Sequence, residues 1–243
     1  TLVIPHDCYG GSFRLFVHLA KRGLFNLTIV DQNDPQALSE ALKQQPKLVL
    51  LESPSNPLLR LVDIETITKA CHEVGALVAV DNTFLSPVLQ QPLKLGADIV
   101  FHSTTKYING HSDVVGGVLV TKEKALGEEL AWWANCIGIT GSAFDSFLAT
   151  RGLKTLPLRM AQHQENAQQV AEFLNNHPAI DKVYFPGLEE HPEHELAKKQ
   201  QYGFGAMMSF DVTGGRPAAE HVFWTAKLYS LAESLGGVES LLE

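Results

Sequence analysis

A lysine lies among small hydroxyl residues in the stretch HSTTKYINGHSD, residues 102–113. Lys106 follows three such residues, Ser103 to Thr105, and the group comes directly after the apolar run at 99–101. A solvated surface lysine needs no such neighbours, whereas an amine held at the end of a buried strand can act as a nucleophile toward a carbonyl group. The sequence therefore marks Lys106 as a candidate for covalent chemistry.

Two further polar groups follow apolar runs in the same way. ESPSNP, residues 52–57, comes after the run at 48–51, and Asp81-Asn82-Thr83 comes after the run at 77–80. If these runs are parallel strands, their carboxyl ends converge at one edge of a sheet. We therefore expect an acid, an amide, hydroxyls and a lysine to share one crevice.

Those groups are the ones that a pyridoxal phosphate site requires. A lysine amine binds the aldehyde of the cofactor, a carboxylate keeps the pyridine nitrogen protonated, and donors hold the phosphate. Lys106 and Asp81 suit the first two tasks, and Ser103 and Thr105 offer hydroxyls to the phosphate. The sequence predicts pyridoxal 5'-phosphate as the cofactor.

The elements that must position these residues can be predicted from apolar runs and helical patterns. The runs lie at 2–4, 27–30, 48–51, 77–80, 99–101 and 118–120, and the helical patterns at 12–22, 35–45 and 64–74. Because the runs are continuously apolar rather than alternating, we expect strands that are covered on both faces. The alternation of strand and helix predicts an α/β fold with a mainly parallel sheet.

After residue 120 the pattern changes. Helices are predicted at 124–135, 143–156, 159–176 and 216–225, and strands at 181–185 and 206–212. We predict a large cofactor-binding domain over residues 1–158, followed over 159–243 by a linking helix and part of a smaller α+β domain. Both ends look cut, because the chain begins inside a strand-like run and stops in an apolar segment. We expect the large domain to lack its N-terminal part.

Composition excludes several classes of partner. The chain has 243 residues, 45% of them hydrophobic, with 19 Lys and Arg against 27 Asp and Glu, and a formal charge of −8. No basic run suggests nucleic acid, and no apolar stretch approaches the ~20 residues that span a bilayer. Three widely spaced cysteines, Cys8, Cys71 and Cys136, form no CxxC pair and are expected to be reduced thiols. A soluble, cytoplasmic protein is predicted.

Five strings carry a family resemblance: ESPSNP, VDNTF, STTKYINGHSDVVGG, TGSAFDSFLATRGLKTL and AESLGGVESL. In order and spacing they resemble the Cys/Met-metabolism family of pyridoxal-phosphate enzymes, and the match runs essentially from Thr1 to Glu243. PHDCYGGSFRLF and ELAWWANCIG are most similar to the members that carry out γ-replacement. The resemblance implies the fold type I, aspartate aminotransferase-like architecture.

The resemblance also implies roles for particular residues. Lys106 forms the Schiff base, Asp81 pairs with the pyridine nitrogen, and Ser103 and Thr105 hold the phosphate. Further positions match a ring-stacking tyrosine and proton carrier, an asparagine near the ring hydroxyl, and three substrate-pocket residues: Tyr9, Asn56, Arg14, Glu233 and Ser234. The upstream phosphate-binding residues of the family and its arginine for the substrate carboxylate match nothing in this chain.

The implied activity joins O-succinylhomoserine and L-cysteine by γ-replacement in a homotetramer built as a dimer of dimers. The γ-lyases and the O-acetylhomoserine sulfhydrylase of the family remain alternatives, as does a non-catalytic fragment that keeps the fold. A nicotinamide enzyme is disfavoured, because Gly10-Gly11 is not a GxGxxG motif. We interpret HPEHE, residues 191–195, as a solvated loop and helix start rather than a zinc site, and we expect no metal.

Overall fold

The computed structural model describes residues 1–243 and is built around a six-stranded sheet. Its strands are β1 (Leu2–Pro5), β2 (Leu27–Val30), β3 (Leu48–Glu52), β4 (Leu77–Asp81), β5 (Ile99–Ser103) and β6 (Gly117–Thr121). They lie in the order β2-β1-β3-β4-β5-β6. The first five are parallel, and β6 is antiparallel to β5. The mainly parallel sheet is thus confirmed.

Helices connect the parallel strands. They are α1 (Gly10–Lys21), α2 (Pro35–Leu42), α3 (Ile64–Glu73) and α4 (Ser86–Leu89), with a 3-10 turn at Pro92–Leu95. Asp34 and Asp63 begin α2 and α3, because their carboxylates accept hydrogen bonds from first-turn backbone N–H groups. Helix α2 ends before the predicted residue 45, where Gln45 adopts a left-handed φ of 49°.

The central strands are buried on both faces. Val49, Val78 and Val80 belong to a cluster beneath α2 and α3, whereas Leu50 and Ala79 belong to a cluster on the opposite face, beneath α1. Side chains of a strand alternate between the two faces of its sheet, which explains this division. Continuous apolar runs in β3 and β4 are therefore a consequence of two-sided burial, as predicted.

The edge strand β6 departs from that prediction. Its residues Val118, Leu119 and Val120 are 37%, 54% and 42% exposed. The expectation that every apolar run is covered on both faces is wrong here, because Val118 and Val120 line an open cavity instead of packing under a helix. An apolar run indicates a strand, but it does not indicate whether both faces of that strand are covered.

The second half of the chain is mainly helical. Its elements are α5 (Lys124–Ile137), α6 (Ala143–Leu153), α7 (Leu156–Asn175), β7 (Ile180–Tyr184), α8 (His194–Gln200), β8 (Ser209–Val212), α9 (Gly215–Thr225), β9 (Ser230–Leu231) and β10 (Leu241–Leu242). Helix α7 begins earlier than the predicted residue 159, because Pro157 lies in its first turn, where no backbone N–H is needed.

Strands β7 and β8 form an antiparallel pair against α7. Five buried residues make up the core of this region: Ala167, Ala171, Val183, Phe185 and Leu188. The core is separate from the two clusters of the large sheet. None of the helices combines the length and the hydrophobicity that spanning a bilayer requires.

Candidate active site

Three polar side chains lie in a row at the carboxyl ends of neighbouring strands. Glu52 of β3 is paired in register with Asp81 of β4, and Asp81 is paired with Phe101 of β5, two positions before Ser103. Side chains two residues apart share a face, so Glu52, Asp81 and Ser103 all project from the face that carries Leu50 and Ala79. We call this the site face.

Asp81 is held by Thr83. One carboxylate oxygen, Oδ1, accepts hydrogen bonds from the Thr83 backbone N–H at 3.0 Å and from its hydroxyl at 2.6 Å. The same hydroxyl oxygen accepts a bond from the Ser103 backbone N–H at 2.9 Å. Burial raises the pKa of Asp81, while the bonds from Thr83 lower it. Thr83 therefore links the ends of β4 and β5 and leaves Asp81 without a cationic partner in the chain.

Glu52 is a site residue that sequence reasoning passed over. Its Oε2 accepts a hydrogen bond from the Tyr9 backbone N–H at 2.8 Å, and the side chain is buried. Burial, with a smaller effect of the Asp81 charge, raises the pKa of Glu52 to about 8. The signal was present in the sequence: Glu52 ends a buried strand at the same point as Asp81.

Lys106 lies just beyond the end of β5, in a π-helical turn formed by Thr104–Ile108, here called the lysine turn. Its own backbone is not helical within that turn, with φ −89° and ψ −131°. The ammonium nitrogen Nζ donates a hydrogen bond to Ser234 Oγ at 2.7 Å. Burial lowers the pKa of Lys106, whereas the carboxylates of Glu243 and Glu233 act in the opposite direction.

The segment that carries Ser234 packs closely on the lysine turn. A Cβ added to Gly236, which has φ +81°, would lie 2.5 Å from the Tyr107 backbone nitrogen. Ser112 Oγ donates to Glu239 Oε2 at 3.0 Å and ties the same segment to the loop after the turn. Glu233 and Ser234 are both exposed, and of these two adjacent predicted pocket residues only Ser234 forms a hydrogen bond with Lys106.

The two predicted phosphate hydroxyls differ in their surroundings. Thr105 Oγ1 accepts a hydrogen bond from the Gly116 backbone N–H at 3.0 Å. The Ser103 hydroxyl forms no hydrogen bond within the chain and is half-buried at the end of β5. Ser103 therefore has its full bonding capacity available, whereas Thr105 has part of it in use.

Tyr9, Asn56 and Arg14 are exposed residues. The Tyr9 ring is 59% exposed, and it lies over Gly11, where an added Cβ would meet it at 2.4 Å. Asn56 lies in the loop after β3, and Arg14 lies on α1 without an ion pair. Their roles toward cofactor or substrate remain predictions.

The loop that carries Asn56 is held from both sides. Ser55 Oγ donates to Asp7 Oδ2 at 2.7 Å, and Ser209 of β8 donates to the Pro57 carbonyl oxygen at 2.6 Å. The loop thus bonds both to the segment that follows β1 and to the C-terminal region.

The interpretation of HPEHE is wrong in one respect. Helix α8 begins at His194, as predicted, but His191 is buried rather than solvated. Its pKa is lowered mainly by burial, and its Nδ1 accepts a bond from the Glu193 backbone N–H at 3.2 Å. The structure brings no three His, Cys, Asp or Glu side chains together in a group that could hold a metal ion.

The residues present fit pyridoxal phosphate. A buried carboxylate without a cationic partner, a lysine whose pKa is lowered by burial, and a free strand-end hydroxyl belong to two adjacent strands and the turn that follows. These are the donor and acceptor types that the cofactor's ring nitrogen, aldehyde and phosphate need.

Comparison with known proteins agrees with this chemistry. Residues 1–243 match the family described as Cys/Met metabolism PLP-dependent enzyme. The chain belongs to this family. The family and cofactor predicted from the sequence are thereby confirmed.

Individual relatives narrow the comparison. The chain is 58% identical to cystathionine gamma-synthase of Escherichia coli, over 99% of this chain and 62% of that protein. A crystal structure of cystathionine gamma synthase from Xanthomonas oryzae in complex with cystathionine gives a TM-score of 0.97 at 59% identity, over 99% of this chain and 62% of that one. Cystathionine gamma-lyase of Bacillus subtilis is 46% identical over 99% of this chain and 63% of its own length. The chain thus spans about three fifths of these relatives.

Proposed function

We propose that the protein is a pyridoxal-phosphate-dependent transferase that forms cystathionine by γ-replacement. The sulfur of L-cysteine bonds to Cγ of O-succinyl-L-homoserine, the Cγ–O bond breaks, and succinate leaves with the thiol proton balancing its charge. The observation that carries the proposal is the Lys106 amine, held by Ser234 beside the strand of Asp81 in a chain of this family. The synthases among its relatives support the choice of reaction.

Asp81 would hold the ring nitrogen of the cofactor in its protonated form, and Lys106 would bind the aldehyde. Ser103 and Thr105 would donate to the phosphate. When bound, the cofactor supplies an electron sink that makes substrate protons next to the amino group acidic. Thr83 fixes the Asp81 carboxylate with two hydrogen bonds, so that little reorganisation is needed when the ring charge arrives.

Lys106 must carry protons between substrate carbons, and an amine does this only when it is neutral for part of the cycle. Burial lowers its pKa, which enlarges the neutral fraction at neutral pH. The Ser234 hydroxyl, 2.7 Å away, holds the amine when it is not bonded to the cofactor.

The remaining predicted residues complete the proposal. Tyr9 would stack on the ring and carry the proton of the thiol or leaving group, and its backbone is fixed by Glu52. Asn56 would contact the ring hydroxyl, and Arg14 and Glu233 would contact the substrate. All three side chains are exposed to solvent, as groups that meet an incoming ligand must be.

The test is a product assay on protein expressed from its complete coding sequence. With O-succinylhomoserine and cysteine we expect cystathionine and succinate in equal amounts, and no product from the Lys106→Ala variant. Ammonia and an oxoacid as main products would instead identify a lyase. The lyase is the second candidate because a γ-lyase is 46% identical to this chain.

A non-catalytic protein that keeps the fold predicts a different spectrum. A lysine-bound cofactor absorbs near ~420 nm, and borohydride or Lys106→Ala should abolish that band. If added cofactor gives no band at all, the non-catalytic reading is correct and the proposed function fails.

We further propose a homotetramer arranged as a dimer of dimers, located in the cytoplasm. The division into domains at residues 158 and 159 is proposed with it, supported by the separate core around Phe185. Light scattering on the complete protein tests the assembly, and a strict monomer would contradict it.

A further inference from the structure

Arg159, in the first turn of α7, makes an unusual set of contacts. Its Nη1 donates to the Tyr107 carbonyl oxygen at 2.7 Å, and its Nη2 donates to the Gly152 carbonyl oxygen at 2.9 Å. A longer bond from Nη2 reaches the Ile108 carbonyl oxygen at 3.4 Å, and Nε donates to Thr155 Oγ1 at 3.1 Å. No carboxylate pairs with this guanidinium, so its bonding capacity is directed to backbone oxygens and one hydroxyl.

Two of those oxygens belong to the lysine turn. Within the turn, the carbonyls of Thr104 and Lys106 accept bonds from the backbone N–H groups of Asn109 and Gly110. The chain then turns away at Gly110, which has φ +73°, so the next two carbonyls receive no N–H from a continuing helix. Arg159 supplies their donors.

The fit is close enough to restrict the sequence. A Cβ on Gly110 would lie 2.0 Å from Arg159 Nη1, so a side chain there would displace the guanidinium. Gly152 is also tightly packed, because a Cβ added there would lie 2.3 Å from the Asn109 carbonyl oxygen. Arg159 thus joins three segments: the end of the lysine turn, the end of α6 and the start of α7.

A planar guanidinium with five N–H groups can bond to several oxygens at fixed angles, whereas a lysine ammonium is a single flexible point. The Tyr107 and Ile108 carbonyls directly follow Lys106 in the chain. Movement of either carbonyl would rotate the backbone of Lys106, whose ψ of −131° already departs from the rest of the turn.

We propose that Arg159 is a positioning residue, which holds the lysine turn so that the Lys106 amine stays in its partly buried place against Ser234. The inference rests on the proposed function for the importance of Lys106, but its test does not. If Arg159 is lost, the turn relaxes and the amine gains water. The carboxylates that act on Lys106 belong to Glu233 and Glu243, and Arg159 bonds to neither of them.

The experiment measures Lys106 itself in cofactor-free protein expressed from its complete coding sequence. Labelling of the lysine by acetic anhydride is followed by mass spectrometry across a pH series, which gives the pH midpoint of the neutral amine. We expect Arg159→Gln to raise that midpoint, so that the neutral fraction near pH 7 falls about threefold to tenfold. Arg216→Gln, at an exposed arginine paired only with Glu220, should leave it unchanged.

Two further variants test the proposal if Arg159→Gln does not fold. Arg159→Lys keeps the charge but loses the planar guanidinium with its several donors. Thr155→Ala removes one hydrogen bond of Arg159 and leaves the guanidinium. Both variants should raise the pH midpoint less than Arg159→Gln does. An unchanged midpoint in a folded Arg159 variant would overturn the proposal. The product assay has no bearing on this result, so a protein that makes no cystathionine would refute the proposed function while leaving the labelling result intact.

Discussion

At the scale of single residues, Glu52 has the most distinctive environment. It is a buried acid next to the acid of the proposed cofactor site, and it bonds only to the Tyr9 backbone N–H. The pKa of Glu52 is raised from its ordinary 4.5 to about 8 in the folded protein. Between these two pH values the folded protein keeps the carboxyl proton, whereas the unfolded chain releases it. Glu52 therefore acts as a neutral hydrogen-bonding group at neutral pH.

This predicts a pH dependence of stability. Between the ordinary pKa and about 8 the folded state binds the extra proton, so the free energy of unfolding should fall as pH rises through that range. Glu52→Gln keeps an oxygen that can accept from the Tyr9 N–H and cannot ionise. The variant should therefore lack this fall in the free energy of unfolding, which is on the order of a few kcal/mol. Urea unfolding at pH 5 to 8.5 measures the difference. Parallel profiles for the two proteins would contradict it, and Glu190→Gln serves as an exposed control.

Two variants of Ser234 should separate the effect of its hydroxyl on activity from the effect of its backbone conformation on stability. Its hydroxyl accepts from Lys106, and its backbone has φ 105°, a region that favours glycine. Ser234→Ala and Ser234→Gly both lose the hydroxyl, so each should slow cystathionine formation about tenfold or more. Only the glycine relieves the backbone, so it should be about 1 kcal/mol the more stable by urea unfolding. Equal stability of the two variants would show that the backbone is not strained.

At the scale of elements, α6 and the lysine turn are in contact with no space between them. The backbone of Gly152 lies against the Ile108 and Asn109 carbonyls, where an added Cβ would come within 2.6 and 2.3 Å. The contact is possible because residue 152 has no side chain.

Gly152→Ala should therefore destabilise the protein by about 1–3 kcal/mol, because backbone atoms must move apart. Gly127→Ala is a matched control in α5, where the nearest atom to an added Cβ is a methyl at 3.4 Å. Alanine favours a helix over glycine, so this control should be neutral or up to about 1 kcal/mol more stable. Thermal unfolding of both variants checks the pair, and equal destabilisation would count against close packing at 152.

The elements show how far sequence reasoning reached. Strands and helices were predicted because burial leaves a periodic apolar pattern, and the order of strand and helix indicated the parallel sheet. The exposure of β6 was missed, since an apolar run does not reveal whether another element covers each face of the strand. Lys106 and Asp81 were found because acid and amine follow apolar runs. Arg159 was taken only as the start of a helix, because its partners are backbone oxygens about fifty residues earlier in the chain, which leave no pattern in the residue types.

At the scale of the whole molecule, a chain of buried amides joins the large sheet to the C-terminal region. Gln90 Nε2 donates to the Ser53 carbonyl oxygen at 2.8 Å. Gln200 of α8 donates to the Val62 carbonyl oxygen at 3.1 Å and accepts from the Ile64 backbone N–H at 3.3 Å. The loop that carries Asn56 thus lies between Ser53 and Val62, whose carbonyl oxygens accept from buried glutamine amides. Its position therefore depends on both regions of the molecule.

Gln200 and Gln201 form a natural matched pair. Both are buried, but neither amide atom of Gln201 has a hydrogen-bond partner in the chain. Gln200→Met should cost about 1–3 kcal/mol, because it leaves backbone groups unpaired, whereas Gln201→Met should be neutral or stabilising. Urea unfolding of the complete protein measures both. A larger loss for Gln201→Met would contradict the assignment of the bonds.

The shared face of Glu52, Asp81 and Ser103 bears on how such a chain can vary in length. Removing a single residue from the middle of β4 would turn the Asp81 carboxylate toward the helices α2 and α3, away from Lys106, because every later side chain of the strand would change sides. Connecting segments keep no such parity, and those outside the lysine turn and the loop that carries Asn56 position no predicted site residue. Insertions and deletions that leave function intact are therefore expected in those other segments and not within the strands.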